Sequence, residues 1–172
     1  MGSFAISVVG HDRPGIIAGV TGALAEPGGN IEDSSMTLLR GHFAWMLIVK
    51  VDKSAEELDA TVSPLRRPDL AISVLELPVE SGDQVNDSVP YWLTVHGADR
   101  PGIVSAITGE IAAVGGNLTN LSTRLAGDLY VVGADVDLPQ DVDAAALQAK
   151  LTTVADALGV TASLRAADSD LL

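Results

Sequence analysis

The chain repeats itself: GHDRPGI begins at Gly10 and GADRPGI begins at Gly97, an offset of 87 in a sequence of 172 residues. The same offset carries Thr21 and Gly22 onto Thr108 and Gly109, Gly28, Gly29 and Asn30 onto Gly115, Gly116 and Asn117, and Ser35 onto Ser122, without insertion or deletion. A unit of that length is too long for a solenoid repeat and suits a small domain that buries its own core. Any fold for this chain must therefore be built twice from one half-length plan. Residues 1–79 are read as the first domain and 90–166 as the second. Residues 80–89 are read as an acidic linker lying between Pro78 and Pro90, and 167–172 as a short acidic tail.

Within each half the periodicity changes in the same order. Phe4, Ile6 and Val8 alternate as a half-buried first strand, and so do Tyr91, Leu93 and Val95. Ile16, Val20 and Leu24 then recur at helical spacing, as do Ile103, Ile107 and Ile111, in a helix that begins near Pro14 and stops at Gly28 and Gly29. Two strands follow in a hairpin, turning at residues 40–42 in the first half and at Gly127 and Asp128 in the second. Ser54 and Glu57 have the spacing of a capping box at the start of a second helix carrying Leu58, Val62 and Leu65. The counterpart helix carries Leu147, Leu151, Val154 and Leu158 and stops at Gly159. Final strands cover residues 70–77 and 160–165. This order predicts an α+β fold of two tandem ferredoxin-like βαββαβ domains, each a four-stranded antiparallel sheet with two helices on one face.

One sheet face in such a domain has no helices over it. If Phe43, Trp45, Leu47, Val49 and Val51 face the helices, Ala44, Met46 and Ile48 lie on the open face, where the second half has Val131, Gly133 and Asp135. Aligning the last strand to Val160, Ala162 and Leu164 places Ile72 and Val74 on the open face as well, opposite Thr161 and Ser163. The first half has the more apolar uncovered face. It is expected to be a homodimer interface made by Ala44, Met46, Ile48, Ile72 and Val74.

Composition narrows the function. A formal charge of -13 repels phosphate backbones, and the ten Lys and Arg form no stripe to offset it, so direct nucleic-acid binding is not expected. There is no run of eighteen uncharged apolar residues, no basic segment leading into a long apolar stretch, and no cysteine, so the chain reads as soluble and cytoplasmic, without a membrane partner. No cysteine nucleophile, GxSxG elbow, phosphate loop or recognisable Ser-His-Asp set is present, which argues against an enzyme and implies no cofactor. His11, His42 and His96 show neither helical pairing nor a nearby carboxylate motif, so no metal site is expected. His11 reads as a polar group lining a site and His42 as part of an exposed hairpin turn.

The repeated Asp12, Arg13, Pro14 and Gly15, with Asp99, Arg100, Pro101 and Gly102, sit where the first strand turns into the first helix. A helix start offers N–H groups and partial positive charge to a carboxylate, and glycine permits close approach. Asp12 or Asp99 suits an ammonium group, while Asn30 or Asn117 adds one donor and one acceptor. Together these describe an amino-acid pocket. The same residues equally suit a structural turn, with Asp capping the helix, Pro starting it, Arg solvated and Gly-Gly-Asn only ending it.

The succession DRPGI, helix, GGNI, hairpin, helix and strand resembles the ACT domain, a small-molecule-sensing module of amino-acid metabolism, over residues 4–77 and 91–164. The resemblance implies a ligand site between two such domains, lined by His11, Asp12, Pro14, Gly15, Asn30 and Ile31 and by Ala98, Asp99, Pro101, Gly102, Asn117 and Leu118. A stand-alone pair of these domains resembles the glycine cleavage system transcriptional repressor family. That implies a non-catalytic regulator sensing an amino acid such as glycine or serine and acting through contacts with a transcription regulator or metabolic enzyme. The alternatives are a ligand-free dimerisation scaffold and a detached regulatory module of an amino-acid or one-carbon enzyme. His11 faces Ala98 across the repeat, Val9 faces His96, Pro27 faces Val114 and Asp33 faces Asn120, which points to two inequivalent sites.

Overall fold

The alternation of Phe4, Ile6 and Val8 produces β1 (Gly2–His11), the first element of a computed structural model that describes residues 2–78 and 87–167. It continues with α1 (Ile16–Ala25), β2 (Asn30–Leu39), β3 (His42–Val51), α2 (Ala55–Val62) with a 3-10 turn over Ser63–Leu65, and β4 (Leu70–Leu77). The second half has β5 (Ser88–Ala98), α3 (Ile103–Ala113), β6 (Asn117–Ala126), β7 (Leu129–Pro139), α4 (Ala144–Leu158) and β8 (Val160–Ala166). Contacts divide the chain into two units, Met1–Asp83 and Gln84–Leu172. Their sheets have the orders β2-β3-β1-β4 and β6-β7-β5-β8, antiparallel throughout. This is the ferredoxin-like plan in duplicate.

Local chemistry sets the helix ends. Gly28 has φ 79°, its N–H donates to the Ala25 carbonyl at 2.9 Å, and the Gly29 N–H donates to the Leu24 carbonyl at 2.9 Å. That pair of bonds is a Schellman stop, and Gly115 and Gly116 repeat it with Ala112 and Ile111. At α2 the capping box forms: the Glu57 N–H donates to Ser54 Oγ at 3.2 Å and the Ser54 N–H donates to Glu57 Oε2 at 2.9 Å. Asp143 caps α4 by accepting from the N–H groups of Ala145 and Ala146. The first unit fills its core with Phe4, Phe43 and Trp45 among aliphatic residues. Among the described residues, the buried core of the second has no aromatic ring and includes Ala134 and Ala155, with Tyr91 and Tyr130 packed against it from its margin. Its α4 runs to fifteen residues against eight for α2, a longer cover over smaller side chains. Among the described residues no helix is long and apolar enough to cross a membrane.

Three expectations shift. The first helix starts at Ile16 rather than near Pro14, because Gly15 has φ 90° and stands outside the helix as its N-cap. β5 begins at Ser88, inside the span read as linker: Ser88 and Val89 pair with Pro139 and Leu138 because β7 is long enough to supply partners. Residues 80–86 of that span and 168–172 of the tail lie outside the described residues. The third correction concerns the open face. Val8 pairs with Ile72 and Ile6 with Val74, so Ile72 and Val74 belong to the core side and are not interface residues. Val95 pairs with Ala162, which makes the offset 90 here, from residue 72 to residue 162. A phase error of one residue in a strand exchanges its faces. The open face of β4 instead carries Ala71, Ser73 and Leu75, with Ser7 Oγ and Ser73 Oγ 2.6 Å apart across it.

Candidate functional site

The sequence between β1 and α1 is held from two sides. The Asp12 N–H donates to the Gly41 carbonyl at 3.0 Å, tying the turn to the β2–β3 hairpin, and the His11 N–H donates to the Asp69 carbonyl at 3.0 Å. Arg13 Nη1 pairs with Asp69 Oδ2 at 3.2 Å, so this arginine braces the loop before β4 rather than standing free in solvent. Gly10 is needed for the same approach: a Cβ there would lie 2.2 Å from the Asp69 carbonyl oxygen and 2.8 Å from Leu70 Cα. In the second unit a Cβ at Gly97 would lie 2.8 Å from Val160 Cα. There Arg100 rests its guanidinium beside Gly159, where the first unit has Asp69.

The helix start beyond this brace is open. Gly15 (φ 90°) and Gly102 (φ 92°) are the N-caps of α1 and α3, and no side chain caps either helix. Asp12 and Asp99 are exposed and are not caps, and Pro14 and Pro101 precede the helices. First-turn N–H groups are thus left to water or to an anionic ligand. Beside this start in the first unit lies a cleft of about 490 Å³ lined by Asp12, Pro14, Gly15, Ile17, Met36, Leu38 and Phe43. Met36, Leu38 and Phe43 were not marked by any motif. The β2–β3 register brings them there, pairing Leu38 with Phe43.

The asparagines stand elsewhere. Asn30 is the first residue of β2 and pairs with Lys50, which pairs with Ser3, whereas His11 pairs with His42 at the opposite end of β3. Eight strand steps separate those ends, about 26 Å at roughly 3.3 Å per residue. The second unit repeats this, with Ala98 opposite Leu129 and Asn117 opposite Asp137. One unit therefore brings Asp12, Pro14 and Gly15 together but does not bring Asn30 to them. Ile31 and Leu118 pack against their own cores. His42 is not in the turn, which is formed by Arg40 (φ 50°) and Gly41 (φ 81°); it opens β3 with its ring 5.0 Å from that of His11.

Hydrogen bonds from the Arg66 guanidinium hold the Asp59 carboxyl below its ordinary range. Among the described residues no group of three or more His, Cys, Asp or Glu side chains is placed to hold a metal ion.

A family model for the ACT domain matches residues 3–68 and 92–165. A UPF0237 protein of Methanopyrus kandleri is 46% identical over 61 residues, covering 36% of this chain and 63% of that protein. The glycine cleavage system transcriptional repressor of Escherichia coli is 26% identical over 119 residues, covering 69% of this chain and 63% of the repressor. In both cases the match spans less than two thirds of the curated relative. The crystal structure of an unknown protein from Galdieria sulphuraria is 32% identical with a TM-score of 0.79, covering 96% of this chain and 98% of that one.

Proposed function

The chain belongs to the ACT domain family, and from that premise we propose that it is a non-catalytic regulatory protein that binds an amino acid such as glycine or serine. The carrying observation is the uncapped start of α1 beside exposed Asp12 at the mouth of a cleft. Free N–H groups suit the carboxylate of a zwitterion, Asp12 suits its ammonium group, and the largely apolar floor of Ile17, Met36 and Leu38 suits a small side chain. The separation of Asp12 from Asn30 adds a condition: the full ligand set of His11, Asp12, Pro14 and Gly15 with an asparagine from a β2-type strand is completed only between two ACT modules. A ligand that touches both modules stabilises one arrangement of them over others, which is how binding reaches a protein partner.

The partner class is a transcription regulator or metabolic enzyme in the cytoplasm, and the similarity to a glycine cleavage repressor makes glycine cleavage the first pathway to test. Calorimetry with a panel of amino acids is expected to give saturable heat for at least one. Asp12→Ala and Asp99→Ala, made separately, identify which copy binds. Absence of heat for every amino acid at millimolar concentration overturns the sensor reading.

A scaffold reading is favoured by a different observation. The open face of the first sheet exposes Val9, Met46 and Leu75, at 49%, 53% and 65% of their full areas. A second chain covering that face makes a homodimer through Ala44, Met46 and Ile48 together with Ala71 and Leu75. A protein partner captured equally well with and without amino acids supports this reading over the sensor.

A further inference from the structure

His11 and His42 are 31 residues apart in sequence, yet β1 and β3 place them as direct cross-strand partners at the end of the first sheet. Their rings stand edge to face with centroids 5.0 Å apart, and both side chains are exposed. His42 Nδ1 lies 3.3 Å from the Arg40 carbonyl oxygen. A carbonyl only accepts, so in this contact Nδ1 is the donor, and in the neutral tautomer that does this Nε2 carries the lone pair. Histidines that ligate metals are commonly oriented in this way, by donating the other ring nitrogen to a carbonyl. χ2 is a soft torsion for an imidazole, so rotation of the neighbouring His11 ring can present a nitrogen on the same side. The two backbones are fixed by ladder pairing, so little order remains to be imposed on binding. The second unit is an internal control, because Ala98 and Leu129 occupy the same paired positions.

We propose that His11 and His42 form a two-imidazole site for a divalent transition metal of the zinc, nickel and copper class. Imidazole nitrogen suits these ions, and two ligands leave the remaining positions to water or to a small chelating molecule. The site belongs to the first unit alone. It does not rest on amino-acid binding, and its test contains no amino acid.

The experiment is titration of the full chain with Zn²⁺, and separately with Ni²⁺, followed by calorimetry and by the imidazole resonances of the three histidines. One ion per chain is expected, perturbing His11 and His42 while leaving His96, which lies in the second unit, unmoved. His11→Ala and His42→Ala should each weaken binding on the order of 100-fold, the loss of chelation by a second tethered ligand. His96→Ala should leave it unchanged. Binding by the wild type no tighter than by the His11→Ala/His42→Ala double variant identifies an adventitious ion only and overturns the proposal. So does equal perturbation of His96. Circular dichroism of each variant, at exposed positions, separates loss of ligand from loss of fold.

Discussion

Added methyl groups separate glycines that look alike in the repeat. Gly10 and Gly15 lie five positions apart in one motif, but Gly10 is required by the backbone of β4 and Gly15 by its own φ of 90°, with nothing within 4 Å of a Cβ there. Gly10→Ala drives a Cβ into the carbonyl of Asp69, and backbone yields less readily than a side chain. We expect it to destabilise the first unit by about 2–3 kcal/mol, read as a lower urea midpoint. Gly22 gives the opposite sign. It is an exposed interior position of α1 with open space where a Cβ would go, so Gly22→Ala should stabilise by about 0.5–1 kcal/mol. A loss instead would mean that Gly22 is matched in the repeat for a contact outside its own unit. The motif was legible in sequence as a turn, but the reason for each glycine was not. Close approach to β4 depends on a strand sixty residues away, which no local spacing reports.

At the scale of elements, sequence was most informative where the interaction is local. The Ser54 and Glu57 spacing specified a capping box that forms as read, because both partners lie within one turn. Bonding to the Ser54 N–H, followed by the Lys53 contact, holds Glu57 below its ordinary 4.5. A carboxyl depressed by folding contributes stability that is present above its unfolded value and is lost as pH falls through the folded one. The stability gap between wild type and Glu57→Gln should therefore be constant from pH 7 to about pH 5 and close below pH 4.5. Urea midpoints across that range measure it, and a gap that widened on acidification would contradict the assignment. Where pairing is long-range, spacing does not carry the phase. The repeat predicts Ile72 and Val74 on the open face, but α4 is longer than α2 and the offset drifts before the last strand, which turns them to the core. The edges show a similar long-range effect. The Arg66 Nε–H donates to the Ile72 carbonyl, and Gln148 donates to the Ala162 carbonyl and accepts from the Leu164 N–H, so side chains engage the backbones of β4 and β8.

For the whole molecule, the two open sheet faces diverge by linked substitutions. Asp33 beside Ile48 in the first unit becomes Asn120 beside Asp135 in the second, and Asn120 Nδ2 donates to Asp135 Oδ2 at 3.2 Å. Keeping aspartate at 120 would have set two like charges side by side, and the neutral amide removes that repulsion. The first face keeps Met46 where the second has Gly133, and Leu75 where the second has Arg165. If the apolar face is where a second chain docks, two opposing terms decide its strength. Burial of Met46 and Leu75 favours association, while a charge of -13 on each chain opposes it at long range. Salt screens the second term and spares the first, so the dimer should tighten between 0.01 M and 0.15 M salt, as the screening length falls from roughly 30 Å to 8 Å. Met46→Lys replaces buried apolar area by a desolvated ammonium group and should weaken association by about 3 kcal/mol, on the order of 100-fold. Gly133→Lys, on the open face of the second sheet, should leave it unchanged. Sedimentation velocity at both salt concentrations measures these effects, and a wild type that stays monomeric, or a dimer indifferent to Met46→Lys, assigns the exposed face of the first sheet to some other occupant.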